Sequence, residues 1–466
     1  MSACDVMVIG AGPAGMAAAT LTAKAGLSTL LVDENQRPGG QIYRATGATP
    51  VSAAVLGEEY GAGAGLVSEL AASGAEVLSG ATVWTLDREL SVGLSAGGAS
   101  RFVTARRVII ATGAMERPFP IPGWTLPGVM TAGAAQTVLK ASGLVPTGTV
   151  VFAGQGPLLW LLAAQILRAG GSIDCILDTT PASRYLEALP HALGFLLSPY
   201  ALKGLRLMRE VKAKVRVVRG VSSLRALGES RLTGVAYSTG AAEITLPADA
   251  LFLHQGVVPH VNLAMAAGCA HDWSEAQACW TPRLDADGLS SVPGILIAGD
   301  GAGIGGGEAA AERGRLAGLA VVEALKPAAL ADLPARNVVA AALRRRLMGR
   351  AFLDRLFLPL RDFRVPADDA TIVCRCEEVS AGDIRRLVAV GASGPNQLKA
   401  YSRCGMGPCQ GRQCGLTVTE IIADARGVAP AEVGHYRLRP PVKPITLNEI
   451  ADIPKDAEAV AAVVRG

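Results

Sequence analysis

The sequence predicts an α/β protein with two parallel-sheet units, followed by a small, mostly helical unit that is rich in cysteine. Three observations predict this class. A glycine-rich turn follows an apolar strand pattern at Gly10, and a similar turn recurs at Gly154. Five of the nine cysteines then fall between positions 374 and 414. Apolar strand patterns that alternate with helical stretches are typical of a parallel sheet covered by helices.

Length and charge narrow the classes of function. A chain of 466 residues is too long for one core, so two to about four domains are expected. The net charge is only +4 and half the residues are apolar, which does not indicate a nucleic-acid partner. The basic run at Arg344–Arg346 and Arg350 is interpreted as a solvated helix face.

The N-terminal residues and the longest uncharged stretch indicate neither secretion nor a membrane span. The segment MSACDVMVIG leads directly into a strand pattern without a charged and then apolar leader. Residues 141–167 carry no charge, but glycines and prolines interrupt them and the helix-like part, 158–167, is too short to span a bilayer. We therefore expect a cytoplasmic protein without a transmembrane segment. In that reducing compartment, clustered cysteines indicate metal or redox chemistry rather than disulfides.

The first unit carries a phosphate-binding loop. Residues 5–9 predict a strand, GAGPAG follows at Gly10–Gly15, and an Ala-rich helix comes next. The three glycines allow a tight turn, close approach of the backbone to a pyrophosphate, and close packing of helix on strand. A second strand ends in Asp33, whose carboxylate can accept both hydroxyls of a ribose. The pattern predicts a dinucleotide site for NAD or FAD, whereas a glycine-rich turn with a solvated acid would leave the position of Asp33 unexplained.

Three later stretches favour FAD, because with them the chain resembles the glutathione reductase-like flavoproteins, which have two dinucleotide-binding domains. The stretches are RPGGQIYR (37–44), RRVIIATGA (106–114) and GILIAGDGAG (294–303), and the resemblance covers residues 5–325. It implies that Asp300 meets the ribityl chain and that the backbone of Val83 meets adenine. Another adenine nucleotide is the alternative ligand. The implied nucleotide-binding residues are Gly10, Gly12, Pro13, Ala14, Gly15, Asp33, Glu34, Gly40, Gln41, Arg44, Val83, Ala111, Thr112, Gly113, Gly299 and Asp300.

The second glycine-rich turn predicts a second Rossmann-like unit. Residues 148–153 are strand-like, GQGPLL follows, and a further strand over 172–177 ends in Asp178. Leu159 replaces the third glycine and would push helix and strand apart. The fold is therefore expected, while binding of NAD(H) stays open. His254 and His260 are interpreted as structural residues, with a role beside the flavin as the alternative.

The flavin half lacks a redox-active dithiol pattern. Cys4, Cys175, Cys269 and Cys279 have neither CxxC nor CxxxxC spacing, so each is interpreted as a small buried residue. Electrons on a flavin in this unit must then leave by another route.

The cysteine-rich unit predicts a metal site. Prolines bound a linker, a basic helical stretch covers residues 337–360, and Ser380 with Asp383 predicts a capping box. Cys374 and Cys376 form a CxC pattern, and Cys409 and Cys414 form CxxxxC inside a glycine-rich loop. Glycines let such a loop point its N–H groups at sulfur, and a cysteine in the first turn of a helix suits an anionic cluster. Structural zinc is the alternative, although zinc sites prefer CxxC.

The motifs CRCEEVS and GMGPCQGRQC resemble the [2Fe–2S] domain of bacterioferritin-associated ferredoxin. Together with the flavin half, these motifs make nearly the whole chain resemble the α subunits of heteromeric FAD/[2Fe–2S] amino-acid dehydrogenases. That family includes the larger subunits of hydrogen cyanide synthase and of opine, proline and D-hydroxyproline dehydrogenases. It is also related to the sarcosine oxidase α subunit. The resemblance implies Cys374, Cys376, Cys409 and Cys414 as ligands. Cys404 departs from the pattern, since a small residue is expected there and Cys404 with Cys409 also has CxxxxC spacing.

The resemblance also implies a reaction and partners. A second flavoprotein subunit resembling D-amino-acid oxidase would oxidise a secondary amine, such as an opine, proline, hydroxyproline or sarcosine, and electrons would run through the flavin and cluster of this chain to an external acceptor. Further expectations are an FMN at a subunit interface and a small ferredoxin-like γ subunit. The alternatives are an NADH-dependent reductase of a ferredoxin-like acceptor and a non-enzymatic iron-storage partner. No catalytic acid or base is assigned.

The predicted domains follow from these motifs. They are the first part of the FAD domain (1–118), the second Rossmann-like domain (119–280), the second part of the FAD domain (281–330), a helical linker (331–370), the [2Fe–2S] domain (371–435) and a Pro-rich tail (436–466) that is expected to pack on a subunit.

Overall fold

The computed structural model describes residues 3–451 and residue 453, and it contains three sheet-based or helical units. The strands are β1 Ala3–Ile9, β2 Thr29–Asp33, β3 Glu76–Ser79, β4 Ala81–Leu86, β5 Ser91–Ala96, β6 Ala99–Ile110, β7 Ala114–Glu116, β8 Val129–Thr131, β9 Val150–Gln155, β10 Cys175–Asp178, β11 Arg216–Arg219, β12 Ser223–Leu227, β13 Gly234–Ser238, β14 Glu243–Pro247, β15 Ala250–Gln255, β16 Val257–Pro259, β17 His271–Ser274, β18 Cys279–Pro282, β19 Ile295–Ile297, β20 Ile372–Cys374 and β21 Val379–Ser380.

Helices connect and cover these strands. They are α1 Pro13–Lys24, α2 Ala53–Leu56, α3 Ala62–Ala71, α4 Ala132–Ser142, α5 Pro157–Arg168, α6 Ala182–Ala188, α7 Ala192–Leu196, α8 Pro199–Lys212, α9 Asn262–Ala266, α10 Gly307–Leu325, α11 Arg336–Leu347, α12 Arg350–Leu356, α13 Ala381–Ala389, α14 Pro395–Ser402, α15 Gly415–Arg426, α16 Pro430–Val433 and α17 Leu447–Ala451.

The first unit is built on a seven-stranded sheet. Its strand order is β3-β2-β1-β6-β5-β4, and β19 pairs with β6. Pairing is parallel among β3, β2, β1, β6 and β19, while β4 and β5 form an antiparallel extension. Helices α1 and α10 cover one face, and a separate core of side chains lies on the other. Strand β19 follows the second unit in sequence but pairs with β6, so the chain leaves this sheet, forms the second unit and then returns.

The second unit is a five-stranded parallel sheet of order β11-β10-β9-β15-β8. Apolar clusters cover both of its faces, as a parallel sheet requires. The antiparallel pair β7–β16 lies where the chain crosses between the two units. Two parallel sheets of this kind confirm the predicted α/β class. The strand predicted over 172–177 is observed as Cys175–Asp178, since Ala169 and Gly170 form a turn and residues 171–174 are irregular.

The linker differs from the single helical stretch that was predicted, whereas the last unit has its predicted capping box. The helical stretch expected over 337–360 is two helices, α11 and α12, because Gly349 adopts a φ of +83° and lets α12 turn onto residues 182–198. The helix after the cysteine-rich loop begins at Gly415 and ends before Gly427. The capping box of Ser380 and Asp383 is confirmed at the start of α13.

The described part of the tail packs on the first unit. Val442 donates its amide to the Trp84 carbonyl at 2.8 Å and is buried in that unit's core. Lys443 forms an ion pair with Glu34. This part of the tail therefore lies against the chain's own sheet, while residue 452 and residues 454–466 lie outside the described residues. Within the described residues, every helix is too short or too polar to cross a membrane.

Candidate nucleotide and thiol sites

The three nucleotide motifs, far apart in sequence, meet at the N-terminus of α1. A Cβ added at Gly10 would lie 2.5 Å from the Ala111 carbonyl oxygen, and one added at Gly299 would lie 2.8 Å from the Ala14 side chain. A Cβ at Gly15 would lie 1.7 Å from the Gly10 carbonyl oxygen, so only glycine fits there. The loop therefore has the close backbone packing that the sequence predicted. Gly12 caps the helix and Pro13 is its first residue, which leaves backbone N–H groups directed at the loop.

Asp33 is committed to the loop itself. Its Oδ2 accepts the amide of Ala11 at 2.5 Å, and its Oδ1 accepts the amide and the side-chain nitrogen of Asn35 at 2.7 and 2.8 Å. The residue is 8% exposed. Asp33 thus braces the glycine loop, in addition to any contact with a ribose that the sequence predicted.

Glu34 is the more accessible carboxylate at the end of β2. Its side chain is 53% exposed and pairs with Lys443 of the tail. Burial opposes ionisation, but the hydrogen bond and charge of Lys443 and the charge of Arg412 together lower the pKa of Glu34. Glu34 is therefore an ionised acceptor at the position where the ribose is predicted.

The loop that follows β2 is held by a buried lysine that the motif analysis missed. Lys140, on α4, donates to the carbonyls of Gln41 and Ile42 at 3.1 and 2.8 Å and to Gln136 Oε1 at 3.0 Å. It is 4% exposed. Burial, and secondarily the charge of Arg44, lower its pKa to about 8. Lys140 is 98 residues from Ile42 in sequence, so no local pattern points to it.

The other predicted contacts of this site have defined positions. Asp300 Oδ1 accepts the amides of Gly305 and Gly306 at 2.8 and 2.9 Å, which orders the turn before α10. The Gly113 carbonyl accepts the His260 amide at 2.9 Å, so the Ala111–Gly113 crossover is tied to the segment after β16. Arg44 donates to Gln41 Oε1 and to Asn35. Val83 lies buried on β4, away from these hydrogen bonds.

Replacing Lys140 by methionine should loosen this loop. The variant leaves the two carbonyls and Gln136 without their donor, which lowers the free energy of unfolding by about 1–3 kcal/mol. Removal of a desolvated charge partly offsets this loss. We expect a flavin content below that of the wild type after gel filtration. Val138→Met, on the same helix but 40% exposed, is the matched control and should keep its flavin.

The same lysine predicts a pH dependence. Its pKa in the folded chain is lowered from 10.5 to about 8, so the unfolded chain holds more protons between these values. Burial of the charged lysine destabilises the folded chain below about pH 8, and this destabilisation decreases as the pH rises towards 10.5. The wild type should therefore gain stability relative to Lys140→Met across that window, as measured by denaturant unfolding. A difference that falls with pH would contradict this assignment.

The phosphate-type loop of the second unit is contacted by the linker. Gln155, between Gly154 and Gly156, donates through Nε2 to the Phe357 carbonyl at 2.9 Å. His254 is buried beside the same loop and its Nδ1 lies 2.6 Å from Glu116 Oε1. Asp178 at the end of β10 accepts the Thr180 amide, and burial raises its pKa. The second loop is thus joined to the chain's own linker, and His254 is paired with Glu116 beside it.

Five thiols gather in one pocket of the third unit. The sulfurs of Cys374, Cys404 and Cys414 all lie within 4.8 Å of one another. The Cys409 thiol is hydrogen-bonded to those of Cys414 and Cys376. The close group thus holds two of the four predicted ligands, Cys374 and Cys414, and the other two, Cys376 and Cys409, lie beside it. The structure adds Cys404, which is fully buried and receives a hydrogen bond from the Tyr436 hydroxyl at 3.3 Å.

Glycine lets the loop close over this pocket. A Cβ at Gly407 would lie 2.3 Å from the Cys376 side chain, and one at Gly405 would lie 2.4 Å from the Tyr436 ring. Cys414 is the N-cap of α15, so the helix N-terminus faces the thiols. The predicted curling of a glycine-rich loop around a bulky ligand agrees with this arrangement.

Hydrogen bonds favour a thiolate at Cys374 and at Cys409. Those from the Cys404 and Cys414 thiols, with the amides of Gly405 and Glu377, lower the pKa of Cys374 to about 2. The Cys414 thiol and the amides of Gln413 and Gly411 likewise lower the pKa of Cys409 to about 5. The hydrogen bond with Cys374 raises the pKa of Cys404 to about 12. Because neighbouring thiolates repel, all five sulfurs cannot be anionic without a cation between them, and the donor set fits a thiolate-bound metal centre.

The thiol pocket adjoins the nucleotide unit. Asn262, at the start of α9, donates to the Gln410 carbonyl at 3.0 Å, and Gln410 follows Cys409. Trp124 Nε1 donates to the Ile372 carbonyl at 2.7 Å. His260, two residues before Asn262, is half-buried, and desolvation with the charges of Arg412 and Lys443 lowers its pKa to about 4. His260 is thus a neutral residue at the junction of the two sites.

The fold and the first site define an oxidoreductase of the pyridine nucleotide-disulphide oxidoreductase class, whose family model matches residues 4–324. The model of the sarcosine oxidase A3 domain matches residues 369–453. The chain belongs to the family of the opine oxidase subunit designated A: it is 47% identical to that protein of Agrobacterium tumefaciens over 473 residues, which cover 98% of this chain and 93% of that protein.

Two further similarities agree with this family. The chain is 31% identical to the hydrogen cyanide synthase subunit HcnB of Pseudomonas aeruginosa, over 97% of this chain and 99% of that protein. The crystal structure of L-proline dehydrogenase from P. horikoshii superposes with a TM-score of 0.71 at 18% identity, over 96% of this chain and 79% of that one. The latter shows that the fold extends over nearly the whole chain.

Proposed function

We propose that this chain is the α subunit of a heteromeric flavin-dependent dehydrogenase of secondary-amine amino acids such as opines, proline, hydroxyproline or sarcosine. The observation that carries the proposal is a five-thiol pocket docked on a flavin-type nucleotide fold, through Asn262 and Gln410, in a chain similar along its length to a named oxidase subunit. The first site would hold FAD and the thiol pocket a [2Fe–2S] cluster, with FMN at a subunit interface as a further expectation. A flavin stores two electrons and a cluster carries one at a time, which together link hydride removal to a one-electron acceptor.

The chain's own residues set the conditions for that role. Asp33 and Lys140 hold the two loops of the first site in place, and the amides of Gly405, Gly411 and Gln413 direct their hydrogen bonds at cysteine sulfurs. Cys374, Cys376, Cys409 and Cys414 would be the ligands. The hydrogen-bond donors in the pocket favour an iron–sulfur cluster over structural zinc.

The cysteines outside the pocket support an exit through the cluster. Burial raises the pKa of Cys4 and of Cys279 to about 11, so these thiols stay protonated and unreactive. Cys175 and Cys269 are also buried, and burial raises their pKa values. A dithiol exchange beside the flavin, as in disulfide reductases, is therefore not supported by the described residues.

The alternative, an NADH-dependent reductase, needs the second unit to accept a dinucleotide. The contact of Gln155 with Phe357 places the linker at the loop where the pyrophosphate would lie. That position argues against rapid reduction by NADH.

The test is to express the chain alone and together with a smaller flavoprotein subunit resembling D-amino-acid oxidase. We expect the isolated chain to contain flavin and iron but to give no dye reduction with proline, hydroxyproline, sarcosine or opines, because the amine site lies on the partner. The co-expressed pair should turn over at least one of them. Substrate-dependent turnover by the isolated chain would refute its assignment as a subunit, and rapid bleaching of its flavin by NADH would support the reductase.

A further inference from the structure

The excursion after β10, residues 182–212, has an apolar outer face. Among the described residues, twelve large apolar side chains are more than half exposed, and seven of them lie between positions 186 and 205. Such concentration differs from the single exposed apolar residues of an ordinary surface. The seven are Leu186, Leu189, Leu193, Leu196, Leu197, Leu202 and Leu205. We call this set the leucine face.

The opposite side of the excursion is fixed against the linker, so the leucines point away from the protein. Phe195 stacks on Phe352 with ring centroids 4.4 Å apart. Tyr200 donates its hydroxyl to the Arg346 carbonyl at 3.0 Å. α12 also packs along α6 and α7. The leucine face is therefore a supported outer surface.

The leucine face carries no free charge among residues 185–202. Glu187 is the one charged residue in that stretch, and it pairs with Arg184 at 2.6 Å and with Arg355 at 2.7 Å. The exposed positions there are leucine, tyrosine, proline and histidine. Water therefore meets a surface over 18 positions in which the apolar side chains are interrupted only by His191 and the paired Glu187.

A basic rim borders the leucine face. Residues 203–214 contain five cations and one acid, Glu210, which pairs with Arg168. Arg206, Arg209 and Lys214 are exposed and form no ion pair within the described part of the chain. The rim thus presents uncompensated positive charge beside the leucines.

We propose that residues 182–214 dock this protein on the surface of an anionic lipid bilayer, with the leucine face in the headgroup and acyl boundary and the basic rim on the lipid headgroups. Leucines on one face and arginines and lysines beside them are the combination that interfacial helices use. Polybasic segments gain about 1 kcal/mol per cation at an anionic surface. The longest helix of the excursion has 14 residues, so the segment lies on the bilayer without crossing it.

Protein partners fit this surface less well. The buried cores of protein interfaces are enriched in aromatic residues, methionine and arginine, and leucine is under-represented among their strongest contacts. Tyr185 is the one exposed aromatic residue in 182–212. A second copy of the chain would bring two basic rims together, which like-charge repulsion disfavours. Charge complementarity therefore selects the anionic bilayer.

The experiment is flotation of the purified full-length chain with vesicles, and it requires neither substrate nor partner subunit. The wild type should float with phosphatidylglycerol/phosphatidylcholine vesicles at low salt, and less at high salt or with phosphatidylcholine alone. Leu193→Ser/Leu196→Ser/Leu197→Ser should lower the affinity roughly a hundredfold or more, as expected for three leucines withdrawn from an apolar phase. Arg206→Gln/Arg209→Gln should lower it roughly thirtyfold.

The matched control is Leu144→Ser/Val338→Ser/Val390→Ser, which removes three exposed apolar side chains outside the excursion and should float like the wild type. Unchanged visible spectra of all variants would show that each is folded. Failure of the wild type to float with any vesicle, or equal flotation of the leucine variant, would overturn the proposal. So would a leucine variant that floats normally but no longer co-purifies with a partner subunit, since the face would then be a protein interface.

Discussion

Cys414→Ser and Cys409→Ser are each expected to abolish the visible absorption of an iron–sulfur cluster, whereas Cys404→Ser keeps it. The anaerobically purified wild type should contain about two irons and two acid-labile sulfides per chain. In the proposed cluster site, removal of one of the four ligands would leave an open position, and the cluster would disassemble. Metal and sulfide analysis with the visible spectrum measures the effect.

The choice between Cys404 and Cys409 follows from their hydrogen bonds. The amides of Gly411 and Gln413 donate to Cys409, whereas Cys404 receives its hydrogen bond from the Tyr436 hydroxyl. Amide hydrogen bonds to sulfur stabilise an anionic cluster. Cys404 would then be a buried neighbour of the cluster. Tyr436→Phe is the control for its surroundings and should leave the iron content unchanged.

Other outcomes would revise the site in specific ways. If Cys404→Ser bleaches the protein and Cys409→Ser does not, the ligands are the three close sulfurs of Cys374, Cys404 and Cys414 with one further thiol. Zinc without labile sulfide would replace the cluster by a structural metal. Both results would leave the nucleotide fold unaffected.

Local patterns in the sequence were sufficient for the elements that local physics determines. The glycine loops after β1 and β9 and the capping box at Ser380 each depend on residues within a few positions, and each is present in the structure. The CxC and CxxxxC motifs likewise predicted a gathering of thiols. The two motifs are 32 residues apart, but they still predicted one site, because cysteines are rare in this chain and a cluster of them indicates a shared site.

Contacts between distant parts of the chain could not be predicted in this way. Lys140 reaches Gln41 and Ile42 across more than 90 positions, and Lys443 reaches Glu34 across 409. Neither lysine stands in a motif, and each has its role only because the fold brings a polar backbone or a carboxylate to it. The leucine face is similar, since its leucines at helical spacing would ordinarily predict a buried core, and only their exposure in the structure distinguishes them.

The nucleotide site gives the second large expected effect, at Asp33. Asp33→Ala removes the acceptor for two backbone N–H groups, that of Ala11 in the phosphate loop and that of Asn35 just after β2. Each unsatisfied group costs about 1–3 kcal/mol, and the loop no longer holds its shape for the pyrophosphate. We therefore expect the purified variant to lose its adenine nucleotide on gel filtration, whatever that nucleotide is. Release by denaturation, followed by chromatography, identifies the nucleotide in the wild type.

Glu34 separates bracing of the loop from contact with the ribose. Because Glu34 accepts no amide of the loop in the described residues, Glu34→Gln should leave the fold as stable as the wild type. The variant should bind the nucleotide more weakly, because a charged acceptor is lost. The expected loss is about 1.5–3 kcal/mol in binding free energy, or roughly tenfold to a hundredfold in affinity. Lys443→Gln is the matched control, since it removes the ion pair but keeps the carboxylate, and it should bind the nucleotide at least as well as the wild type. Urea unfolding of the nucleotide-free proteins distinguishes the two acids: Asp33→Ala should be destabilised and Glu34→Gln should not. Full retention of the nucleotide by Asp33→Ala would show that the hydrogen bonds of Asp33 to the loop are dispensable. A wild type that releases an adenine nucleotide other than FAD would refute the FAD assignment, but it would leave the role of Asp33 in stabilising the loop unchanged.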